Sequence, residues 1–218
     1  TKEVLHLKNK INLFICLLLV TAMILAGCSS SVNLMEGIKP NNEMGSETMD
    51  EKLNQAILNF TWNMFKECSV NEGNLMISPP SVYFALAMAA NGADGETKTE
   101  MMKALNAENI SMDDLNKSLN YWMNSITKDR IAKFSIANSI WYRERFKANK
   151  DFLQANADYY SAHIRSLDFT QNSAPDTIND WVKKATNDKI DKIVEEISDD
   201  LVMYIINAIY FNGDWKYE

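Results

Sequence analysis

From residue 48 onward, apolar side chains recur at the spacing of amphipathic and buried helices. Residues 48–51, Thr-Met-Asp-Glu, have the form of a capping box, and apolar residues follow at helical intervals as far as Cys68, which predicts a helix of about five turns. Ser-Pro-Pro-Ser at residues 78–81 places a capping hydroxyl before prolines at the first helical positions. Residues 82–90 are then apolar almost all round. This second helix is therefore predicted to be central and buried, and to end at Gly92.

Alternating patterns and continuous apolar runs indicate the strands. Residues 134–142 alternate, which predicts a strand with one strongly apolar side. Residues 201–211 are apolar except for Asn207, as in a strand that is covered on both faces and lies inside a sheet. Helices with strands scattered between them indicate the α+β class. Shorter strands are predicted at residues 75–77 and 163–169, and further helices at residues 97–105, 112–126, 151–160 and 173–185.

The first 27 residues have the order of features of an export signal. Three lysines precede an apolar run at residues 11–24, and Leu-Ala-Gly at residues 25–27 leads directly into Cys28. This ending is similar to the lipobox of bacterial lipoproteins, in which the cysteine is lipidated and becomes the first residue after cleavage. A single transmembrane helix is the alternative, but residues 11–26 are short for a span of about 20 residues.

The chain is accordingly expected to have three parts. Residues 1–27 form a signal peptide, and residues 28–46, rich in Ser, Asn, Gly and Glu, form a flexible tether behind a lipidated Cys28. Residues 47–218 form the folded part. Thr1 replaces the usual Met and the last residues follow directly on an apolar run, so we expect a fragment of a longer gene product. The product is expected to be exported and either lipid-anchored to the outer face of a bacterial membrane or extracellular.

The acidic net charge and the missing motifs narrow the range of functions expected for the chain. The net charge is −7, and residues 1–27 hold three lysines and one acid, so the remainder is more acidic, at −9. Such a field repels polyanions, and nucleic-acid binding is not expected. With His6 removed in the signal peptide, His163 is the one histidine left for a catalytic Ser-His or Cys-His pair, and no motif surrounds it.

Neither an enzyme nor a cofactor site is expected. If Cys28 is lipidated, Cys68 has no partner, which excludes a disulfide framework and a paired-cysteine metal site. The zinc-protease and phosphate-binding motifs are missing as well. The acids at residues 195–200 could in principle supply a carboxylate pair for a hydrolase, but such a run is typical of a solvated connection.

Four blocks of sequence, in order, resemble the N-terminal half of a serpin. Asn-Leu-Met-Ile-Ser-Pro-Pro-Ser at residues 74–81, followed by the segment 85–97 with its Gly-Ala-Asp-Gly-Glu-Thr ending, is similar to the family's strand, SPxS turn and buried helix. Residues 134–141 look like the second strand of the large serpin sheet. Residues 178–190 are similar to the helix F signature INxWVxxxTxxKI, and residues 207–215 to the strand NAIYFKGxW, with Asn212 where Lys is usual.

The resemblance implies the serpin fold from helix A to helix F, with part of the large central sheet. It implies a suicide inhibitor of serine or cysteine proteases, whose reactive loop is cleaved as bait and then inserts into that sheet as a new strand. Residues 201–213 would border the insertion slot, and the helix at residues 178–190 would lie across it. The reactive loop and its P1 residue lie near the C-terminus of the family, so we expect them outside this chain. The full-length parent is expected to be a monomer that meets its protease through this loop.

The resemblance also implies a polar shutter beneath the slot. Ser78, Ser81 and Asn207 match it, and Trp215 is a structural position at the end of the last block. An Asn inside an apolar strand needs partners, because an unpaired buried amide costs about 1–3 kcal/mol, and the serine hydroxyls could supply them. The alternative is that Ser78 and Ser81 simply cap the helix.

Two other functions stay open from the sequence. One is a serpin-fold lipoprotein that binds a partner without inhibiting proteases. The other is an exported hydrolase, for which the acid content is the one hint.

Overall fold

The computed structural model describes residues 38, 40–41, 48–70, 73–128 and 132–214. The expected signal segment, Cys28 and Trp215 lie outside these residues. The described elements, in chain order, are α1 (Glu51–Cys68), α2 (Pro79–Ala90), α3 (Gly95–Ala104), α4 (Met112–Thr127), β1 (Ala132–Arg143), α5 (Lys150–Tyr160), β2 (His163–Leu167), α6 (Ala174–Ala185) and β3 (Met203–Gly213). None of the helices in the described part of the chain is long and apolar enough to cross a bilayer.

The first helix begins at a different cap from the one predicted. Asp50 is the N-cap of α1, and its carboxylate accepts a hydrogen bond from the main-chain N–H of Lys52 at 2.7 Å. The prediction that the helix begins from a capping box at Thr48 is therefore wrong by two residues. Asp is as good a cap as Thr, and here its carboxylate is the group that reaches a free N–H of the first turn.

The second helix is central, as predicted. It carries prolines in its first turn and buries Tyr83, Phe84, Ala87 and Met88 completely. A helix that is apolar all round has no solvent face, so it must be enclosed by other elements. α2 therefore lies at the centre of the larger core, where the sheet and other helices pack against it.

The three described strands form one mixed sheet in the order β2-β1-β3. β1 pairs in parallel with β2, with Ser139 opposite His163, and α5 makes the connection between them. β1 pairs antiparallel with β3 along the whole length of β3, from Tyr142 opposite Met203 to Ala132 opposite Gly213. The middle strand is therefore the one predicted from residues 134–142.

The sheet is covered on both faces, by two separate cores. Ile140 and Tyr142 point into the larger core, which includes buried residues of α1, α2, α4 and α5. Trp141 points to the opposite face, where α6 supplies Ile178 and Val182. The expectation of a single strongly apolar side for β1 is therefore incomplete, because Trp141 is also buried, at 1% exposure.

Two predictions about strands do not match the described chain. Residues 75–77 form no strand; Met76 is 98% exposed and Leu75 is 42% exposed. β3 lies at the edge of the described sheet, not inside it. A continuous apolar run indicates that both faces of a strand are buried, and in β3 α2 packs on one face and α6 on the other. Such a run carries no information about neighbours along the edges.

Candidate functional site

The polar residue that interrupts the apolar run of β3 contacts the start of α2. The hydroxyl of Ser81 donates to the side-chain oxygen of Asn207 and also lies 3.3 Å from the main-chain carbonyl of the same residue. Ser81 is held there because the prolines of the first helical turn start α2 directly beneath the sheet. The residues predicted to approach each other, 126 positions apart, are therefore in hydrogen-bond contact.

A second asparagine continues this contact across the sheet. Asn138 of β1 stands directly opposite Asn207 in the antiparallel register, and the amide nitrogen of Asn207 donates to its side-chain oxygen at 2.7 Å. The amide nitrogen of Asn138 donates in turn to the main-chain carbonyl of Tyr160, at the end of α5, at 2.7 Å. We call Ser81, Asn207, Asn138 and the Tyr160 carbonyl the polar relay. It joins two helices through both strands.

Tyr160 extends the hydrogen bonds further into the larger core. Its hydroxyl donates to the side-chain oxygen of Asn116 at 2.6 Å, and the amide of Asn116 donates to Asn91 at 2.8 Å. Burial raises the pKa of the Tyr160 hydroxyl far above its ordinary value, so it stays a donor throughout the physiological range. All of these groups are neutral, and a neutral network suits a structural joint better than proton transfer.

The relay contains only part of the set expected from the sequence. Ser81 and Asn207 belong to it, whereas Ser78 is exposed, precedes the helix as its N-cap and makes no side-chain capping bond. Trp215 lies outside the described residues. Asn138 was missed, although its position carried a signal: it is the polar residue on the face that also bears Ile136 and Ile140.

The outer edge of β3 is the second feature of this region. In the described part of the chain, β1 is the only strand that pairs with β3, so the opposite edge has no strand partner. On the face away from α2, helix α6 packs through Ile178 and Val182 against Trp141 and Ile206. Within the described residues, β3 therefore has an outer edge without a strand partner, and α6 packs on one of its faces.

The connection from α6 to β3 is fastened at two points. On α6, the side chain of Asn179 donates to the carbonyl of Val194 at 2.8 Å and accepts from the N–H groups of Ile193 and Val194 at 2.9 and 3.0 Å. On β1, the guanidinium of Arg143 donates to three main-chain carbonyls of residues 198–201 at 2.9–3.1 Å. The acids of this connection, at positions 195, 196, 199 and 200, are exposed, as in a solvated loop.

Comparisons with known proteins agree on one family. The family model described as "Serpin (serine protease inhibitor)" matches residues 55–218. Human neuroserpin is 31% identical over 168 residues, which cover 74% of this chain and 41% of that protein. The leukocyte elastase inhibitor of Bos taurus is 34% identical over 172 residues, which cover 76% of this chain and 45% of that protein.

Solved structures show the same likeness. The native state of the thermophilic serpin tengpin superposes with a TM-score of 0.75 at 44% identity, over 85% of this chain and 47% of that one. A loop C-sheet serpin polymer gives a TM-score of 0.77 at 43% identity, over 83% of this chain and 48% of that one. The chain thus spans less than half the length of each of these four relatives.

Proposed function

Because the chain belongs to the serpin family, we propose that the full-length protein carrying it inhibits serine proteases by inserting a cleaved reactive loop into the sheet beside β3. The outer edge of β3, with which no strand of the described residues pairs, is the observation that supports this proposal most directly. An incoming strand needs a row of free main-chain donors and acceptors, and about every second residue of a strand directs them to one edge. β3 is 11 residues long, room for an extended segment of about 36 Å.

The polar relay supports the same function from beneath the sheet. It fixes the inner edge of β3 to β1 through the two asparagines, and β3 to α2 through Ser81. Each neutral hydrogen bond contributes only about 0.5–1.5 kcal/mol net, but together the bonds tie β3 to both β1 and α2. We propose that the relay keeps β3 in register while its outer edge accepts the loop.

The reactive loop and its P1 residue are proposed to lie outside these 218 residues, because the resemblance places them near the C-terminus of the family and the chain covers only 41% of human neuroserpin. The present chain alone is then expected to be inactive as an inhibitor. It would contribute the sheet that receives the loop.

Mixing the full-length protein with a panel of serine proteases tests the function. We expect an SDS-resistant adduct with at least one serine protease, and none with the same enzyme after its catalytic serine is replaced. Cysteine proteases in the same panel test the wider specificity. Stable binding of a protease without an adduct would favour a binding scaffold that does not inhibit, and the appearance of hydrolysis products would favour a hydrolase.

We further propose that the protein is exported and held at a membrane surface by lipidation of Cys28. The proposal rests on the lysines, the apolar run at residues 11–24 and the small residues before the cysteine. Metabolic labelling with a fatty acid is expected to mark the wild type and the control Cys68→Ser, but not Cys28→Ser. Label retained in Cys28→Ser would contradict the anchor and leave the inhibitory function untouched.

A further inference from the structure

His163 lies between two tryptophans that belong to different elements. Its imidazole stacks on the indole of Trp181 from α6, with ring centroids 5.8 Å apart and an interplanar angle of 22°. Trp141 of β1 approaches the same imidazole at 5.5 Å, and the two indoles meet edge to face at 6.2 Å. We call these three rings the aromatic clasp. It joins α6 to the first residue of β2 and to the central strand.

Two rings of the aromatic clasp, His163 and Trp181, lie at the half-buried rim of the contact between α6 and the sheet. Further in, Ile178 and Val182 are fully covered against Trp141. Trp181 and His163 are only partly buried, so water can reach the imidazole. A proton can therefore bind to His163 without α6 first leaving the sheet.

The surroundings of His163 favour its neutral form. Burial lowers the pKa of the imidazole below its ordinary value, and the positive charge of Arg165, two residues along β2, lowers it further. β1 and α6 present uncharged indoles. α6 carries charged residues at positions 176, 180, 183 and 184, of which Lys183 is paired with Asp191 at 2.8 Å.

We propose that the aromatic clasp is an acid-sensitive joint that holds α6 on the sheet while His163 is neutral and loosens when His163 takes up a proton. It concerns the docking of α6 and does not require protease inhibition. The sign follows from linkage. A histidine whose pKa is lower when docked binds fewer protons docked than undocked, so acid favours the undocked form. The free energy that neutral His163 contributes to holding α6 on the sheet is fully present above about pH 6.5, and it is lost as the pH drops through the pKa of the docked state.

Direct titration of the full-length protein is the first test. NMR of the His163 ring, assigned by its loss in His163→Phe, is expected to give a pKa below about 6.5, and Arg165→Gln is expected to raise it. A pKa at or above that reference would mean that the indoles stabilise the imidazolium through cation–π attraction, and the proposal would be wrong.

Hydrogen exchange then tests the mechanical consequence. Between about pH 7.5 and about pH 5.5, the protection of α6 amides relative to β1 amides is expected to fall, up to tenfold for each pKa unit of depression. His163→Phe keeps an aromatic ring at the position but cannot titrate, so its relative protection should not change with pH. If His163→Phe does not fold, Arg165→Gln serves: Arg165 lies on the same strand as His163 whether α6 is docked or not, so its loss raises the pKa of both states, and the fall in α6 protection should begin at a higher pH than in the wild type. A fall that does not move would overturn the proposal. An equal loss of α6 protection in the wild type and in His163→Phe would overturn the proposal.

Discussion

Removing one amide from the polar relay should destabilise the fold more than removing an identical amide from an exposed position of the same sheet. Asn138 is 3% exposed and uses both ends of its side chain, accepting from Asn207 and donating to the Tyr160 carbonyl, each at 2.7 Å. Asn138→Ala leaves both of these groups unpaired. A buried unpaired group costs about 1–3 kcal/mol, and the half-buried Asn207 falls at the low end because water can reach it, so we expect a loss of about 2–4 kcal/mol.

The matched control is Asn212→Ala. Asn212 lies on β3, five residues after Asn207, and its side chain is exposed. A surface substitution of this kind should stay within about 0.5 kcal/mol. Urea denaturation of the full-length protein at equilibrium gives the free energies of unfolding for both variants, provided that the dependence of the unfolding free energy on urea concentration has the same slope in each.

A double-mutant cycle separates the contact from the burial of each residue. Asn207→Ala alone should cost about 1–3 kcal/mol, because it leaves the Asn138 oxygen unpaired and leaves the Ser81 hydroxyl only the main-chain carbonyl of residue 207. The double variant should then cost less than the sum of the singles, with a coupling of about 0.5–3 kcal/mol. Additive effects, or an Asn138→Ala loss equal to that of Asn212→Ala, would refute the relay as a coupled unit.

Two further substitutions test the parts that surround the relay. Asn179→Ala removes three hydrogen bonds to Ile193 and Val194 and should lower the free energy of unfolding by about 2–4 kcal/mol. Chemical denaturation measures this loss, and a protease should cleave the connection at residues 186–202 earlier than in the wild type. Unchanged cleavage would contradict the prediction. Gly92→Ala would place a methyl group 2.9 Å from the ring of Phe152 and should lower the free energy of unfolding by about 1–3 kcal/mol. Adding Phe152→Leu should recover part of that loss. A loss that persists in full would argue against the clash.

The sequence predicted most elements because their signals are local. Helical spacing and proline positions placed α2, and the alternation of residues 134–142 placed β1. The pairing of Asn138 with Asn207 is a different matter, because it joins positions 69 residues apart and depends on a strand register that no local pattern contains. The sequence held one signal for this pairing, and it was the same for both residues: each asparagine interrupts an otherwise apolar face or run.

The choice between the two candidate serines also depended on the tertiary structure. Ser78 and Ser81 are three residues apart at the start of one helix, and both match the family's shutter. Only Ser81 points at β3; Ser78 remains at the exposed N-cap. The direction in which α2 enters the core decides which hydroxyl reaches the strand, and composition does not encode that direction.

The last prediction concerns residues 47–218 expressed alone, which should associate through the outer edge of β3. This edge has no strand partner in the described chain, and Phe211 at its end is 64% exposed. An apolar edge strand without charge or proline is a template for pairing with a second copy, and a lysine on such an edge opposes it. Phe211→Lys should therefore lower the associated fraction seen by sedimentation velocity. Leu58→Lys is the control, since Leu58 is equally exposed, at 61%, but lies on α1. If both lysines lower association equally, general apolar exposure is the cause; if neither does, the edge of β3 is not a pairing surface.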